Sequence, residues 1–252
     1  MQENKDRLYQ KEHASIDGFR FDAKVANVFD DMIRRSVPGY SQILALIPSL
    51  VRQSLKDNVR GSYYDLGCSL GAGMVSLAQG LSLETEKNNK PRVVGIDNSQ
   101  AMLEQANTKL EGLDSHYGVD FCLIHDDIAS TPIDQAAMIL MNFTLQFLPT
   151  GERAGLIKRC YEGLNTGGRL VLSEKIKFDD SKTDQALIEI HHQFKQDQGY
   201  SELEISQKRD AIENVLIPET LTTHTKRLKS VGFEIVIPWI QNLQFISILA
   251  IK

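Results

Sequence analysis

The sequence has few of the residues that would set it apart from ordinary globular proteins. Its 252 residues include only three cysteines, widely spaced and without a Cys-x-x-Cys pair. This excludes a disulfide framework, and we expect free thiols in a reducing compartment, the cytoplasm. No apolar run reaches the roughly 18 residues that a membrane-spanning helix needs, and the polar first 15 residues lack the pattern of a secretory signal. A soluble protein with no membrane contact is expected.

The chain also lacks an excess of positive charge. Lys and Arg total 28 against 33 Asp and Glu, which gives a formal net charge of -5. Sustained contact with a phosphate backbone requires concentrated Lys and Arg, so direct nucleic-acid binding is not expected. A small molecule is the expected substrate.

Short runs rich in apolar and β-branched residues alternate with longer amphipathic stretches. The alternation is typical of βαβ units that build a parallel sheet. Five parallel strands are predicted, at 62–66, 92–96, 119–124, 136–141 and 169–173. Ser99 is predicted to cap the helix after the second strand, and Gly167 with Gly168 to end the helix before the fifth.

The rhythm changes in the last third of the chain. Residues 175–217 are charged and helical in pattern, and Ser201 to Glu204 matches the capping box Ser-x-x-Glu. Two apolar runs follow, 233–237 and 244–251, joined by Pro238, Trp239 and Asn242. They predict an antiparallel hairpin at the edge of the sheet. The polar segment 84–90 is predicted to be a loop.

The predicted fold class is therefore α/β, a Rossmann-like, doubly wound and mainly parallel sheet of seven strands with an antiparallel C-terminal edge hairpin. We expect a single domain over residues 1–252. It has an N-terminal helical segment at 20–57 and a helical insertion at about 175–217.

The strand at 62–66 runs directly into a glycine-rich loop and then a helix, over residues 64–73. Glycines let the backbone approach a ligand closely, and ligands of open α/β sheets bind beyond the carboxyl ends of the strands. The dinucleotide fingerprint needs glycine where Ser69 stands, and no P-loop lysine follows. A nucleoside without a pyrophosphate fits better. The alternative is a tight turn whose glycines serve packing only.

Polar residues also close the next three strands. Asp97 follows the second and can accept hydrogen bonds from both ribose hydroxyls, although an Asp there can also simply begin the next helix. Asp127 and Ile128 follow the third, where a carboxylate could accept from an adenine amino group beside an apolar neighbour. Asn142 follows the fourth. Four such strand ends at one edge of the sheet predict a binding site.

The segments Asp-Leu-Gly-Cys-Ser-Leu-Gly, Ile-Asp-Asn-Ser, Asp-Ile and Asn-Phe-Thr-Leu-Gln-Phe-Leu at these strand ends resemble the class I S-adenosylmethionine-dependent methyltransferases. The chain resembles the carboxy-S-adenosyl-L-methionine synthase family more narrowly, because segments outside the generic fold also match. These segments are 21–25, 31–33, 35–40, 191–192 and 199–209. The generic pattern has glycine in place of Ser69, whereas the narrower family has serine. The loop 83–90 is longer than expected for the family.

The resemblance implies an enzyme whose co-substrate is S-adenosylmethionine and whose carboxyl donor is prephenate. It implies a homodimer whose product feeds modification of a wobble uridine in tRNA by a separate enzyme. No metal is expected, because the adjacent His191 and His192 are poorly spaced for one. The resemblance also implies that Arg209 binds the new carboxylate, in its own or the partner subunit's site. The implied contacts of the sulfonium nucleoside are Tyr40, Gly67, Cys68, Ser69, Asp97, Asn98, Asp127, Ile128 and Asn142.

The residues alone leave blander roles open. Arg209 lies in a charged helical segment and could face solvent, and Tyr40 could be a buried aromatic that closes a turn. Cys68 has no nearby His, which favours a packing or backbone role over that of a nucleophile. His191 and His192 are adjacent, which is poor spacing for one metal.

Two other functions also remain open. An ordinary methyltransferase acting on a small molecule or RNA is the first, and a non-catalytic nucleoside-binding module is the second. A dehydrogenase is less favoured because of Ser69.

Overall fold

The computed structural model describes residues 5–12, 18–82, 90–213 and 215–252. All but Lys90 of the loop predicted at 84–90 lies outside the described residues. The described strands are β1 (Ser62–Leu66), β2 (Arg92–Asp97), β3 (Asp120–His125), β4 (Ala136–Asn142), β5 (Leu164–Lys175), β6 (Ile235–Asn242) and β7 (Phe245–Ile251). They form one sheet in the order β3-β2-β1-β4-β5-β7-β6.

The pairing of the strands confirms the predicted fold class. β1 to β5 pair in parallel, whereas β7 pairs antiparallel with both β5 and β6. The order reverses on either side of β1, with β2 on one side and β4 on the other. This is the switch point at which open α/β sheets leave a crevice for a ligand.

The described helices flank the sheet and cover its carboxyl edge. They are α1 (Ala23–Ala26), α2 (Phe29–Ser36), α3 (Tyr40–Lys56), α4 (Ala72–Leu81), α5 (Gln100–Leu110), α6 (Leu113–Tyr117), α7 (Thr150–Gly163), α8 (Ser181–Asp197), α9 (Glu202–Ile212) and α10 (Leu221–Val231), with a short 3-10 turn at Leu145–Phe147. Ser99 caps α5 and the Ser201–Glu204 capping box begins α9, as predicted. No helix in the described ranges is long and apolar enough to cross a lipid bilayer.

Two boundary predictions are wrong. Helix α7 already ends at Gly163, and Gly167 and Gly168 lie inside β5. The segment predicted to join the last two strands is mostly strand, because β6 continues through Pro238 to Asn242. Proline lacks the N–H that a central strand needs, but β6 is an edge strand and its register shifts next to Pro238.

The alternation of side chains along the strands separates two large core clusters, one on each face of the sheet, and a third, smaller cluster includes Phe19, Met32 and Met102. Tyr63 of β1 and Met138 of β4 pack with α3 and α4, whereas their neighbours Tyr64 and Ile139 pack with α7 and α10. Both faces are covered, as doubly wound sheets require. The carboxyl edge of the sheet is thereby held rigidly in place for the residues that follow each strand.

Candidate active site

A cavity of about 430 Å³ lies at the carboxyl ends of the parallel strands, next to the switch point between β1 and β4. Its volume is within the usual range for small-molecule sites. Nine of the ten predicted contact residues line it: Tyr40, Gly67, Cys68, Ser69, Asp97, Asn98, Asp127, Ile128 and Asn142. The strand ends singled out in the sequence therefore meet at one cavity.

The glycine-rich loop is fixed to the neighbouring strand. The N–H groups of Gly67 and Cys68 both donate to the carbonyl of Ile96, at 2.8 and 3.0 Å. Gly67 has a φ of 74°, and a Cβ there would collide with the side chain of Thr144. Ser69 also has a positive φ, of 49°. Gly67 thus meets two requirements at once, a left-handed backbone and close approach by Thr144.

Asp97 joins the loop to the second strand. Its Oδ2 accepts the Ser69 N–H at 2.8 Å and its Oδ1 accepts the Ser99 N–H at 2.9 Å. The N-cap of α5 is Ser99, so Asp97 does not have that role. Each carboxylate oxygen retains a further acceptor site. Burial raises the pKa of Asp97, while the two backbone hydrogen bonds oppose the increase.

The third strand supplies a looser corner of the cavity. Asp127 is exposed and its Oδ1 accepts the Ala129 N–H at 2.8 Å, whereas Ile128 next to it is buried. A polar acceptor and an apolar surface are thus adjacent, which suits the edge and face of a heterocyclic base.

Asn142 ends β4 with an unused donor. Its Oδ1 accepts a hydrogen bond of 2.9 Å from the hydroxyl of Ser173, while its Nδ2 is buried and has no hydrogen-bond partner among the described residues. The Ser173 hydroxyl contacts that of Ser247 at 2.8 Å, and the Trp239 indole donates to Ser247 at 2.9 Å. Because the indole N–H can only donate, the chain of hydrogen bonds runs from Trp239 to Asn142. The amide nitrogen is left as an unpartnered buried donor of a residue that lines the cavity.

Asp65 lines the cavity and was missed as a site residue in the sequence analysis. It is 2% exposed near the end of β1, and Met74 N–H is a hydrogen-bond donor to its carboxylate. Burial and then the nearby Asp97 raise the pKa of Asp65 to about 7. Its position directly before Leu66 and Gly67 was the available signal.

The charges of the lining favour a cationic ligand. Four carboxyl groups line the cavity, those of Asp65, Asp97, Asp127 and Glu152. An S-adenosylmethionine sulfonium and its amino group would both be attracted by them. The cavity thus fits that co-substrate in volume, in polar partners and in charge.

The far side of the cavity is aromatic and belongs to elements outside the sheet. Phe21 packs edge-to-face with Phe19 and Phe147, with ring centroids 5.2 Å apart in each pair, and with Phe29 at 6.1 Å. All four rings line the cavity. Such rings form an apolar surface that excludes water.

Arg209 is the predicted residue that the structure does not bring to the cavity of its own chain. Its side chain is 57% exposed on α9, with Nε 3.7 Å from the carboxylate of Asp210. It is not among the described residues that line the cavity, although its neighbour Lys208 is. No group of three or more His, Cys, Asp or Glu side chains in the described residues could hold a metal ion.

Solved structures similar to this chain share its fold. An S-adenosyl-L-methionine-dependent methyltransferase of Methanococcus maripaludis, itself assigned only provisionally, aligns with a TM-score of 0.54 at 18% identity, over 95% of this chain and 97% of that one. Magnesium protoporphyrin IX methyltransferase of Synechocystis, solved with bound S-adenosylmethionine, gives 0.55 at 18% identity, over 96% and 100%. These likenesses establish a class I methyltransferase fold.

Comparison with known sequences identifies a narrower family than the fold does. A family model described as a methyltransferase domain matches residues 64–168. Carboxy-S-adenosyl-L-methionine synthase of Hahella chejuensis is 44% identical over 252 residues, and that of Shewanella oneidensis is 45% identical, each over the full length of both chains. The resemblance seen in the sequence motifs is confirmed, and the chain belongs to the carboxy-S-adenosyl-L-methionine synthase family.

Proposed function

We propose that this protein converts S-adenosylmethionine and prephenate to carboxy-S-adenosylmethionine and phenylpyruvate. The observation that carries the proposal is the 44–45% identity, over its full length, to relatives named for that product. A cavity whose polar wall suits a cationic nucleoside and whose other wall is aromatic supports it.

The strand ends would hold the nucleoside. Asp97 would accept hydrogen bonds from the ribose hydroxyls with the acceptor sites that Ser69 and Ser99 leave free. Asp127 and Ile128 would contact the edge and face of the adenine, and Asn142 would donate from its unpartnered Nδ2 to an acceptor on the ligand. In this arrangement the sulfonium methyl group faces the aromatic side of the cavity.

The reaction balances without a protein base. Prephenate becomes aromatic by losing its ring carboxylate as CO2 and its ring hydroxyl as hydroxide, which leaves phenylpyruvate. The hydroxide takes one proton from the sulfonium methyl group and becomes water. The resulting methylide carbon forms a bond to the CO2 before it escapes. A closed, apolar site matters here because solvent water would reprotonate the carbon.

Arg209 would bind the carboxylate so formed. A guanidinium near a sulfonium is unfavourable by about 4 kcal/mol for unit charges 4 Å apart at an effective dielectric of 20. The arrangement becomes favourable when a carboxylate lies between the two cations, and a guanidinium can hold it with two parallel hydrogen bonds. Since Arg209 points away from the cavity of its own chain, we propose a homodimer in which each Arg209 completes the partner subunit's site.

The product would supply a separate enzyme that modifies a wobble uridine in tRNA. The net charge of -5 is consistent with a protein that makes the small molecule and leaves the RNA to that enzyme. A cytoplasmic location accords with this role.

Mass spectrometry of the products tests the proposal. Purified protein incubated with S-adenosylmethionine and prephenate is expected to form a nucleoside heavier by one CO2, together with phenylpyruvate. Arg209→Ala should abolish that product, and mixing it with Asp97→Ala should restore activity in mixed dimers if Arg209 acts between subunits. A protein that forms no carboxylated nucleoside with both substrates present would refute the proposal.

An ordinary methyltransferase is the second candidate, favoured by the distance of Arg209 from its own cavity. On that interpretation, Arg209→Ala would leave transfer of a labelled methyl group to an acceptor intact.

A further inference from the structure

Lys208 is the one Lys, Arg or His among the described residues that line the cavity. It lies on α9 and is only 8% exposed. Its ammonium donates to the hydroxyl of Ser36 at 3.0 Å, and Ser36 also lines the cavity. A buried cation is costly, and this one lies beside the end of α2, whose Phe29, Met32 and Ile33 also line the cavity.

The network behind Lys208 explains how the cation is tolerated. The Oδ2 atom of Asp6 lies 3.7 Å from the Lys208 ammonium and accepts the Tyr200 hydroxyl at 2.6 Å. Arg35 pairs with Asp31 at 3.0 Å and lies over the Tyr200 ring, its Cζ 3.8 Å from the centroid. The carboxylate of Asp6 thus already has a close donor, and at 3.7 Å it attracts the ammonium without a short hydrogen bond.

The Lys208 ammonium can therefore donate further hydrogen bonds. Of its three donors, Ser36 takes one at hydrogen-bond distance. Burial lowers the pKa of Lys208 to about 8, with Asp6 opposing the decrease. The side chain remains largely protonated at neutral pH, and a carboxylate in the cavity would be a further acceptor for it.

The other charged groups of the lining are unsuited to an anionic substrate. They are the four carboxyl groups already described, which attract the sulfonium nucleoside and would repel a dicarboxylate. The proposed function requires such a dicarboxylate, whose six-membered ring suits the Phe19, Phe21, Phe29 and Phe147 surface. We propose that Lys208 binds a carboxylate of the carboxyl donor, in a part of the cavity that is called the donor subsite below. This assignment rests on the proposed function.

The chemistry indicates which of the donor's two carboxylates it binds. The ring carboxylate leaves as CO2, and a cation paired with it would stabilise the ground state and raise the barrier. The side-chain carboxylate persists in phenylpyruvate. Lys208 therefore holds the side-chain carboxylate, and the ring carboxylate lies among the aromatic side chains.

Calorimetry of phenylpyruvate binding tests this assignment directly, with the protein saturated by S-adenosylmethionine. Lys208→Met is expected to weaken phenylpyruvate binding and to raise KM for prephenate by roughly ten- to a hundredfold, the effect of one charged hydrogen bond. The Kd of S-adenosylmethionine should be unchanged. Lys208→Arg should retain part of the donor affinity. Lys226→Met, an exposed lysine of α10, is the control.

A second variant separates binding from folding. Lys208→Met alone removes the cation beside the buried Asp6, whereas the double variant Asp6→Asn with Lys208→Met removes both charges. Its amide oxygen can accept from Tyr200, but the Leu8 N–H then loses its acceptor. We expect the double variant to fold with a modestly lower melting temperature than the wild type and to lose the donor affinity. Unchanged phenylpyruvate affinity in either folded variant would overturn the proposal. So would a weakened S-adenosylmethionine affinity with donor binding intact, because the ammonium would then serve the methionyl carboxylate.

Failure of the proposed function would look different. In that case the wild type would form no carboxylated nucleoside, while the calorimetric measurement would still decide the role of Lys208. A wild type that does not bind phenylpyruvate at all would overturn the donor subsite itself.

Discussion

Ser173 donates a hydrogen bond of 2.9 Å to the side-chain oxygen of Asn142, a residue that lines the cavity, and so fixes the orientation of that amide. The two residues are direct partners across β4 and β5, and Ser173 is in turn the partner of Ser247 across β5 and β7. A chain of side-chain hydrogen bonds thereby connects the antiparallel edge of the sheet to the cavity, in addition to the backbone pairing of the strands.

Ser173→Ala is expected to weaken S-adenosylmethionine binding by roughly three- to tenfold, because the amide of Asn142 loses the donor that orients it. Calorimetry on the purified variant measures the Kd. Trp239→Phe, two hydrogen bonds further away, should have a smaller effect in the same direction. Ser230→Ala removes an exposed hydroxyl on α10 and is the control. An unchanged Kd for folded Ser173→Ala would mean that Asn142 is oriented by its backbone only.

The two acceptor oxygens of Asp97 give a graded prediction. Asp97→Ala should raise the Kd of S-adenosylmethionine roughly a hundredfold, since it removes both proposed ribose contacts and the acceptor that holds the loop at Ser69. Asp97→Asn keeps one carbonyl oxygen and should bind better than Asp97→Ala. The same titration on Asp120→Asn, an exposed acid at the start of β3, should match the wild type. Equal affinities for both Asp97 variants would exclude a two-acceptor contact.

The sequence was sufficient to locate the strand-end side of the cavity. Parallel strands place their carboxyl ends at one edge, so the polar residues after β1 to β4 had to meet once the strands were identified. Asp97 and Asn142 could be found in this way because each lies at the end of an apolar run. The pattern of apolar strands was therefore sufficient to predict both the fold and the residues on one side of the cavity.

Contacts that depend on strand register or on helix orientation could not be predicted. Ser173 meets Asn142 only because β4 and β5 pair in one register, and hydrophobic alternation leaves that register open by steps of two residues. Lys208 and Arg209 are adjacent on α9, and their sequence gives no sign that the first lines the cavity and the second does not. Pro238 was misassigned to the connection because the sequence predicted the edge hairpin but not that β6, the strand that contains Pro238, is its outer strand, where a proline is tolerated.

Asp65 predicts a pH dependence of ligand binding. Burial and Asp97 raise its pKa to about 7, and a cationic ligand favours the ionised carboxyl. The affinity for S-adenosylmethionine should therefore increase as the pH rises through about 7, with proton release on binding below that pH. Asp65→Asn should flatten this dependence. Calorimetry in buffers of different ionisation enthalpy measures the protons released.

Ionisation of Asp65 has the opposite effect on the stability of the ligand-free protein. The pKa of Asp65 is raised above its unfolded value of 3.8, so the native state binds more protons than the unfolded state between pH 4 and 7. Its contribution to stability is therefore fully present below the unfolded pKa and is lost as the pH rises to about 7. Without ligand, Asp65→Asn should reduce the loss of stability over that range. If the wild-type affinity for S-adenosylmethionine did not vary around pH 7, a pKa of about 7 for Asp65 would be contradicted.

Helix α7 carries the basic residue of a buried ion pair, Arg153, and that of an exposed ion pair, Lys158. The two can be compared directly. The Arg153 side chain is fully buried; its Nη1 bonds Glu219 at 2.7 Å, and its Nη2 and Nε each donate at 3.0 Å to the carbonyls of Gln146 and Leu148. In Arg153→Met, Glu219 keeps its ion pair with Arg227, but the two buried carbonyls lose their donor. The variant should therefore lower the free energy of unfolding by about 2–4 kcal/mol. Lys158→Met breaks an exposed pair with Glu162 and should cost less than about 1 kcal/mol. Urea denaturation followed by circular dichroism measures both.

Arg153→Met should also affect the binding of S-adenosylmethionine. Gln146, Phe147 and Leu148 line the cavity, and the Arg153 guanidinium holds the backbone on either side of Phe147. We expect Arg153→Met to weaken S-adenosylmethionine binding as well, whereas Lys158→Met should bind normally. Normal binding by a destabilised Arg153→Met would show that the aromatic wall keeps its position through the packing of Phe21 against Phe147 and not through the guanidinium.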